Sequence, residues 1–332
     1  MIEFARQALG LSESVSVEVT PLAGRGSDRS FFRVTWSHAG SAIMVHYDPH
    51  RIENTYYGDI TIFLDGIHVP VPRLIGHERM KCLMLMEDLG NTDLWALKNA
   101  PWETRRDLYR KTLATVYRLH SFPERDFPVG QVKLMEGFGP NLYQWERQYF
   151  MDHFVEGVCG ISLGLPFRQE LEGELAALAE RLEETGRSLV HRDLQSQNVM
   201  IRNGEPFLID FQGMRFGSPF YDLGSLLCDP YVVFREDERD ELLSFCYGFW
   251  KEKFEWAVFQ NCFWEASVQR LMQALGAYGF LGRKKGLKSF LDHIPAGLRN
   301  LRNAISRTMS LPRLGKLLDM CGNAIQDSKI KP

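Results

Sequence analysis

The sequence predicts an α+β chain of two unequal parts, a small β-rich lobe over residues 1–88 and a larger, mostly helical lobe over 89–332. Up to residue 88, short runs rich in β-branched and aromatic residues alternate with turn residues, which is strand chemistry. Beyond Gly90, apolar residues recur at the three- and four-residue spacing of helices that bury one face. The helical half is interrupted once, by short apolar runs around an Asn-Gly pair.

Phe31–Trp36 reads as a strand, His38-Ala39-Gly40-Ser41 as a turn and Ala42–Tyr47 as a second strand. A helix is expected over about Thr55 to Leu64. Val69-Pro70-Val71-Pro72 cannot be helical, because proline lacks the N–H and restricts its predecessor; two short strands follow near Arg73–His77 and Cys82–Met86. The hinge between lobes is placed at Glu87–Gly90. Tyr109, Leu113, Val116, Tyr117 and His120 form a helical stripe, as do Leu171, Leu175, Leu178 and Leu182. Two more are Leu242, Phe245, Cys246, Phe249 and Val268, Leu271, Met272, Leu275; all four read as core faces. Ser188–Val190 precedes His191-Arg192-Asp193. Asn198–Ile201 and Phe207–Ile209 flank Asn203-Gly204, whose two residues tolerate positive φ, so a β-hairpin is expected beside that triplet.

Composition narrows the function classes. Of 332 residues, 45% are apolar and 24% charged, which excludes wholesale disorder and fibrous repeats. Lys plus Arg number 39 against 42 Asp plus Glu, a net charge of −3, so neither a nucleic acid nor a membrane is expected as partner. Glu3 and Arg6 interrupt the apolar core that a signal peptide needs. Apolar stretches such as Leu242–Trp250 are about half the length that spans a bilayer. The six cysteines (82, 159, 228, 246, 262 and 321) include no CxxC pair, so a reduced, cytoplasmic protein without a zinc site is expected. A small-molecule acceptor and a monomer or weak dimer complete that picture.

The chemistry concentrates in His191-Arg192-Asp193, Asn198 and Ile209-Asp210-Phe211. Phosphoryl transfer to a hydroxyl needs a carboxylate that orients the alcohol and takes its proton, together with oxygen donors that hold Mg²⁺ against a triphosphate. Asp193 fits the first role. Asn198, five residues on, and Asp210, seventeen positions on and across the hairpin, fit the second. The other reading, in which Asp193 caps a turn and Asp210 ends a strand, leaves their joint spacing without a cause.

Upstream, Leu22–Asp28 carries Gly24, Arg25, Gly26 and Ser27 between two strands. Its glycines let backbone N–H groups approach phosphates, although such a loop also serves as a plain hairpin. It contains no GK[ST], so a P-loop is excluded. Glu87, Asp88 and Leu89 end an apolar run, Met84-Leu85-Met86, and would meet an adenine ring, or serve simply as a linker between lobes.

These motifs resemble the aminoglycoside phosphotransferase and choline kinase family, small-molecule kinases with a bilobal protein-kinase-like fold. The likeness continues through Tyr221–Leu227, where it implies that Asp222 braces the catalytic loop, with His191 and Arg192 supporting it. Only twelve positions separate Asp210 from Asp222, too few for the long activation segment of a protein kinase. Within the family the sequence is similar to the bacterial anomeric kinases of cell-wall amino sugars. That likeness is carried by Pro21–Val34, Asn141–Phe150, Asp210–Gln212, Tyr221–Tyr231 and Gln269–Gly276. It implies ATP and Mg²⁺ as cofactors and the anomeric hydroxyl of an N-acetyl amino sugar as acceptor. An aminoglycoside, choline or homoserine acceptor stays open, as does a catalytically silent nucleotide-binding scaffold.

Two departures stand out. Ala42–Asp48 lacks the strand lysine that meets phosphates in the wider family, leaving His46, Arg25 or Arg33 to supply the charge. Gln212 stands where Gly, Asp or Glu usually follows the metal aspartate and phenylalanine. Arg192 would either pair with a neighbouring carboxylate or touch the transferred group. For the acceptor, the candidate contacts are Tyr143, Trp145, Gln212 and Asp229. Aromatic faces stack on the apolar side of a pyranose, yet aromatics on a helix are more often core.

Overall fold

The computed structural model describes residues 1–22, 29–37, 40–308 and 310–330, with side chains to residue 326. The chain opens with α1 (Ile2–Leu9), β1 (Val17–Pro21), β2 (Ser30–Trp36), β3 (Gly40–His46), α2 (Ile52–Gly66), β4 (Leu74–Glu78) and β5 (Leu83–Glu87). The five strands form one antiparallel sheet in the order β1-β2-β3-β5-β4. The run Leu83-Met84-Leu85-Met86 is buried throughout because both faces of the sheet are covered. Leu83 and Leu85 pack with Val34, Ala42, Met44 and Ala5 of α1. Met84 and Met86 join Val45, Tyr57, Ile60 and Leu64 on the α2 side. Period-two alternation in a fully apolar strand thus serves two separate cores.

The remainder is α3 (Trp102–His120), α4 (Pro140–Phe150), α5 (Leu165–Glu184), β6 (Ser188–Val190), β7 (Val199–Arg202), β8 (Glu205–Leu208), β9 (Arg215–Gly217), α6 (Pro219–Leu227), α7 (Glu236–Tyr247), α8 (Trp256–Gly279), α9 (Ile294–Ser306) and α10 (Pro312–Ile330). Helix α8 is the axis of this part, touching α4, α5, α6 and α9, and is buried along most of its length. The approach of α6 to α8 depends on Gly224, where a Cβ would lie 2.8 Å from Ser267 Cα. Helix α2 starts three residues earlier than the sequence pattern suggests, at Ile52, since the polar first turn carries no apolar periodicity. The described cysteines are all free, four buried and Cys82 and Cys159 half-buried. Among the described residues no helix is long and apolar enough to cross a membrane.

Two small sheets hold the chemistry-bearing segment. Strands β6 and β9 pair antiparallel, Val190 opposite Arg215, and β7 and β8 form the hairpin. Its turn residues, Asn203 and Gly204, have φ of 54° and 75°, the positive pair that a two-residue turn requires. The hairpin is stitched to the segment leaving the upper sheet by Leu94 N–H to Val199 O (2.8 Å) and Ile201 N–H to Thr92 O (2.8 Å). Leu208 N–H donates to Pro70 O at 2.9 Å, joining the hairpin to the stretch before β4.

Candidate active site

The loop between β6 and β7 carries His191, Arg192, Asp193 and Asn198, and its shape is set by buried acceptors from outside it. Asp222, fully buried on α6, accepts from His191 N–H (2.7 Å) and Arg192 N–H (2.8 Å), and its Oδ2 lies 3.0 Å from His120 Nε2. Arg192 has φ of 78°, a backbone setting that these two amide bonds hold in place. The His191 ring lies 2.9 Å from Ile209 O, tying the loop to the far strand. Asn198 Nδ2 donates to Asp193 O at 2.8 Å and closes the loop on itself.

Asp193 projects from this frame with 30% of its side chain exposed. Arg192 Nη1 donates to its Oδ2 at 3.0 Å, and Arg270 Nη2 of α8 lies 3.2 Å from its Oδ1. Burial alone would raise this carboxyl, but Arg192 first and Arg270 second hold it down at about 2. It is therefore ionised at any physiological pH, with its orientation fixed on both oxygens. Arg270 is itself buried, bonded to Ser225 Oγ (3.0 Å) and to Gln273.

The hairpin brings Asp210 beside Asn198: Ile209 N–H donates to Asn198 O at 3.0 Å, one residue before Asp210. Asp210 has φ of 66°, and the ring of the next residue, Phe211, stacks on Tyr57 of α2 with centroids 4.4 Å apart. Arg29 pairs with Asp210 Oδ1, and Gln212 Nε2 reaches the same oxygen at 3.2 Å. Both contacts fall on Oδ1, so Oδ2 is the oxygen that a cation would meet. One carboxylate oxygen and one amide oxygen from Asn198 are the hard donors Mg²⁺ accepts when phosphates and water complete its shell. Among the described residues no cluster of three or more His, Cys, Asp or Glu could hold a metal ion by itself.

Several sequence expectations need correction. Tyr143 is fully buried against Phe138, with ring centroids 5.2 Å apart, so it is a core residue and presents no face to an acceptor. Asp229 is also fully buried. It accepts from Ser196 N–H (2.8 Å), Ser196 O–H (2.6 Å) and Tyr231 N–H (2.9 Å), so it shapes the loop and has no oxygen to offer a sugar. Burial raises its carboxyl above the ordinary range. Gln212 is drawn to Asp210 and Arg29, whose Nη1 donates to Gln212 Oε1 at 3.0 Å, rather than toward α4. Trp145 is 50% exposed on α4 and stacks on Tyr149, centroids 4.9 Å apart.

Around the hinge, Glu87 pairs with Arg202 of β7 and accepts from Arg73 N–H at 3.3 Å. Asp88 pairs with Arg33 Nε at 2.7 Å, and Leu89 is buried. Arg33 is thereby committed to the hinge and His46 is exposed, so neither takes the place of the strand lysine. The loop residues Gly24, Arg25, Gly26 and Ser27 lie outside the described residues.

Three residues here are missing from the sequence reading. Arg29 follows the glycine loop directly and reaches the opposite lobe, buried between the rings of Phe31 (5.5 Å) and Tyr57 (5.9 Å). Glu146 of α4 is fully buried, accepting from Tyr221 O–H and Gln269 Nε2 at 2.9 Å each. Arg270 was hidden in the stripe Val268, Leu271, Met272; a charge within an apolar face is the available signal, since buried charges need a partner.

The geometry is echoed by known proteins. The chain is 26% identical to an N-acetylmuramate/N-acetylglucosamine kinase of Pseudomonas aeruginosa, covering 94% of this chain and 90% of that protein. Among solved structures, a choline kinase from Cryptosporidium parvum superposes with a TM-score of 0.62 at 13% identity, over 96% of this chain and 98% of its own. LicA in complex with AMP does so with a TM-score of 0.57 at 14% identity, over 91% and 98%. These structural likenesses establish the protein-kinase-like bilobal α+β fold. Residues 18–252 match the sequence profile of the phosphotransferase enzyme family, a span that contains the whole catalytic loop, its hairpin and both bracing aspartates. This chain accordingly belongs to the phosphotransferase enzyme family and is a small-molecule kinase.

Proposed function

We propose that this kinase transfers the γ-phosphoryl group of ATP to the anomeric hydroxyl of an N-acetylated amino sugar. Residues 1–88 hold most of the nucleotide and residues 89–332 the acceptor. The observation that carries the reading is the Asp193 carboxylate: ionised, pinned on both oxygens, partly open to the cleft, and on the same loop as Asn198. Asp193 orients the acceptor hydroxyl and takes its proton as the O–P bond forms. Asn198 and Asp210 would hold Mg²⁺, which when bound neutralises phosphate charge. Arg29 takes the place of the strand lysine: it enters directly from the glycine loop and already lies on Asp210, one side-chain swing from the phosphates. Glu87–Leu89 would meet adenine through backbone groups, because both carboxylates are occupied by arginines. The amino-sugar acceptor is supported by the relative from Pseudomonas and by the stacked, exposed Trp145–Tyr149 pair on α4.

The test is phosphorus NMR on purified protein with ATP, Mg²⁺ and, in turn, N-acetylmuramate, N-acetylglucosamine, choline and an aminoglycoside. A glycosyl-phosphate resonance that Asp193→Asn abolishes supports the reading. A product only from choline or the aminoglycoside overturns the acceptor, and undiminished turnover in Asp193→Asn overturns the mechanism.

A further inference from the structure

A cavity of about 220 Å³ lies where α7 meets α9, and none of Asp193, Asn198 and Asp210 lines it. Its wall includes Glu236 and Arg239 of α7 and Arg299, Asn300 and Asn303 of α9. Arg239 is only 5% exposed. Its Nε donates to Leu227 O at 2.9 Å, and its guanidinium lies 6.0 Å from the ring centroid of Trp264. Its two terminal nitrogens make no hydrogen bond or ion pair among the described residues, and neither is sealed from solvent, so the cavity is the space they meet. Arg299 is exposed on the same wall and likewise has no such partner among the described residues. The one carboxylate of the lining, Glu236, is paired with Arg307. Glu238, next to Arg239 in sequence, is bonded to Arg105 and Arg235. Asn303 Oδ1 accepts from Arg307 Nε at 3.3 Å, which leaves its amide nitrogen as a further donor. The wall thus offers two guanidiniums with unused donors and no unpaired carboxylate.

Two of these side chains also bear on the catalytic loop. Arg239 holds Leu227 O, and Asn300 Nδ2 donates to Cys228 O at 2.9 Å. The next residue is Asp229, whose Oδ2 accepts from Ser196 N–H at 2.8 Å and Ser196 O–H at 2.6 Å. A guanidinium buried without a counter-charge is costly, and an anion in the cavity would complete it. We propose that this cavity is a phosphoryl-anion site separate from the active site, whose occupancy restrains Leu227–Asp229 and, through Asp229, Ser196 of the catalytic loop. Donors from α7 and α9 enter the cavity from different elements. A tetrahedral oxyanion accepts from all sides, whereas a carboxylate takes its donors near one plane. Guanidinium forks suit phosphate oxygens. The cavity is smaller than the pockets that bury drug-sized ligands, so it suits a small anion rather than a nucleotide. Free phosphate and the phosphoryl group of a small sugar phosphate share this chemistry.

The experiment uses the full chain with its nucleotide site filled by a non-hydrolysable ATP analogue and Mg²⁺, and neither of its readouts needs turnover. Calorimetry should show inorganic phosphate binding to the wild type and acetate binding about tenfold more weakly. Arg299→Ala, a change at an exposed position, should weaken phosphate binding by about tenfold, as loss of a charge-assisted bond implies. Arg239→Gln should weaken it at least as much; should that variant not fold, Arg299→Ala gives the answer. Glucose 1-phosphate decides the source. Tighter binding than phosphate, weakened alike by Arg299→Ala, assigns the site to a sugar phosphate, and equal or weaker binding assigns it to free phosphate. Hydrogen exchange of the peptide containing Ser196 should slow when phosphate is added to the wild type and stay unchanged in Arg299→Ala. Absence of phosphate binding, or binding that Arg299→Ala leaves intact, overturns the site. Acetate binding as well as phosphate overturns its phosphoryl character, and phosphate binding with unaltered Ser196 exchange overturns the link to the catalytic loop.

Discussion

Arg270 reaches Asp193 Oδ1 at 3.2 Å from the middle of a buried helix, so the orientation of the proposed base depends on the core of the helical lobe. Replacing Arg270 by Gln removes the second largest of the cationic influences that depress the Asp193 carboxyl, after Arg192. A depressed carboxyl contributes stability above its unfolded pKa and loses it as pH falls through the folded value, here about 2. In the wild type this group therefore imposes no acid limb on kcat/KM down to about pH 4. Arg270→Gln should bring a limb up into the measurable range and lower kcat by about tenfold. A pH–rate profile of the two proteins checks both; an unmoved limb refutes the assignment.

Arg29 is expected to act on nucleotide rather than on acceptor. Arg29→Ala should weaken binding of ATP with Mg²⁺ by about tenfold or more, and Arg29→Lys should restore part of it, because charge is the shared property. Titration with a fluorescent nucleotide measures this without turnover. Equal binding by Arg29→Ala and the wild type would remove Arg29 from the phosphate site.

Asp222 gathers two buried amides and the His120 ring. Asp222→Ala strands these donors at about 1–3 kcal/mol each and should lower the free energy of unfolding by about 3–5 kcal/mol. Urea denaturation followed by circular dichroism tests it. A loss under about 1 kcal/mol would mean that water replaces the carboxylate.

Two aromatics two positions apart in sequence should separate cleanly in experiment. Tyr143→Ala empties a fully buried site and should cost about 3–5 kcal/mol of stability. Trp145→Ala, half exposed, should leave the unfolding midpoint almost unchanged and raise the KM for the acceptor. A Trp145→Ala protein with the wild-type acceptor KM would exclude that face from substrate contact.

The strands, the hairpin and the catalytic triplet were legible because local chemistry sets them: β-branched runs, an Asn-Gly turn and a fixed spacing of acids. What escaped the sequence is long-range. Nothing local to Tyr143 says that Phe138 covers it, and the fate of Asp229 is decided by Ser196, thirty-three positions earlier. Both had the right residue type for a sugar contact and were consumed by packing and loop support. Arg29 and Arg215 show the converse. Each looks like an ordinary strand-end arginine, and only tertiary placement reveals one on a carboxylate of the opposite lobe and the other buried with its Nε on Gly213 O.

The backbone bonds that stitch the β7–β8 hairpin to residues 92–94 on one side and to Pro70 on the other have a mechanical consequence. Any swing of the five-stranded sheet against the helices that preserves them must turn about a line through the hairpin. Points on a rotation axis do not travel. Asn198 and Asp210 flank the hairpin and so move least in such a swing, while parts far from that line, such as the Trp145–Tyr149 wall, describe wider arcs. The pair proposed to hold the cation thus sits on the still line of that swing, and the parts around it do the moving.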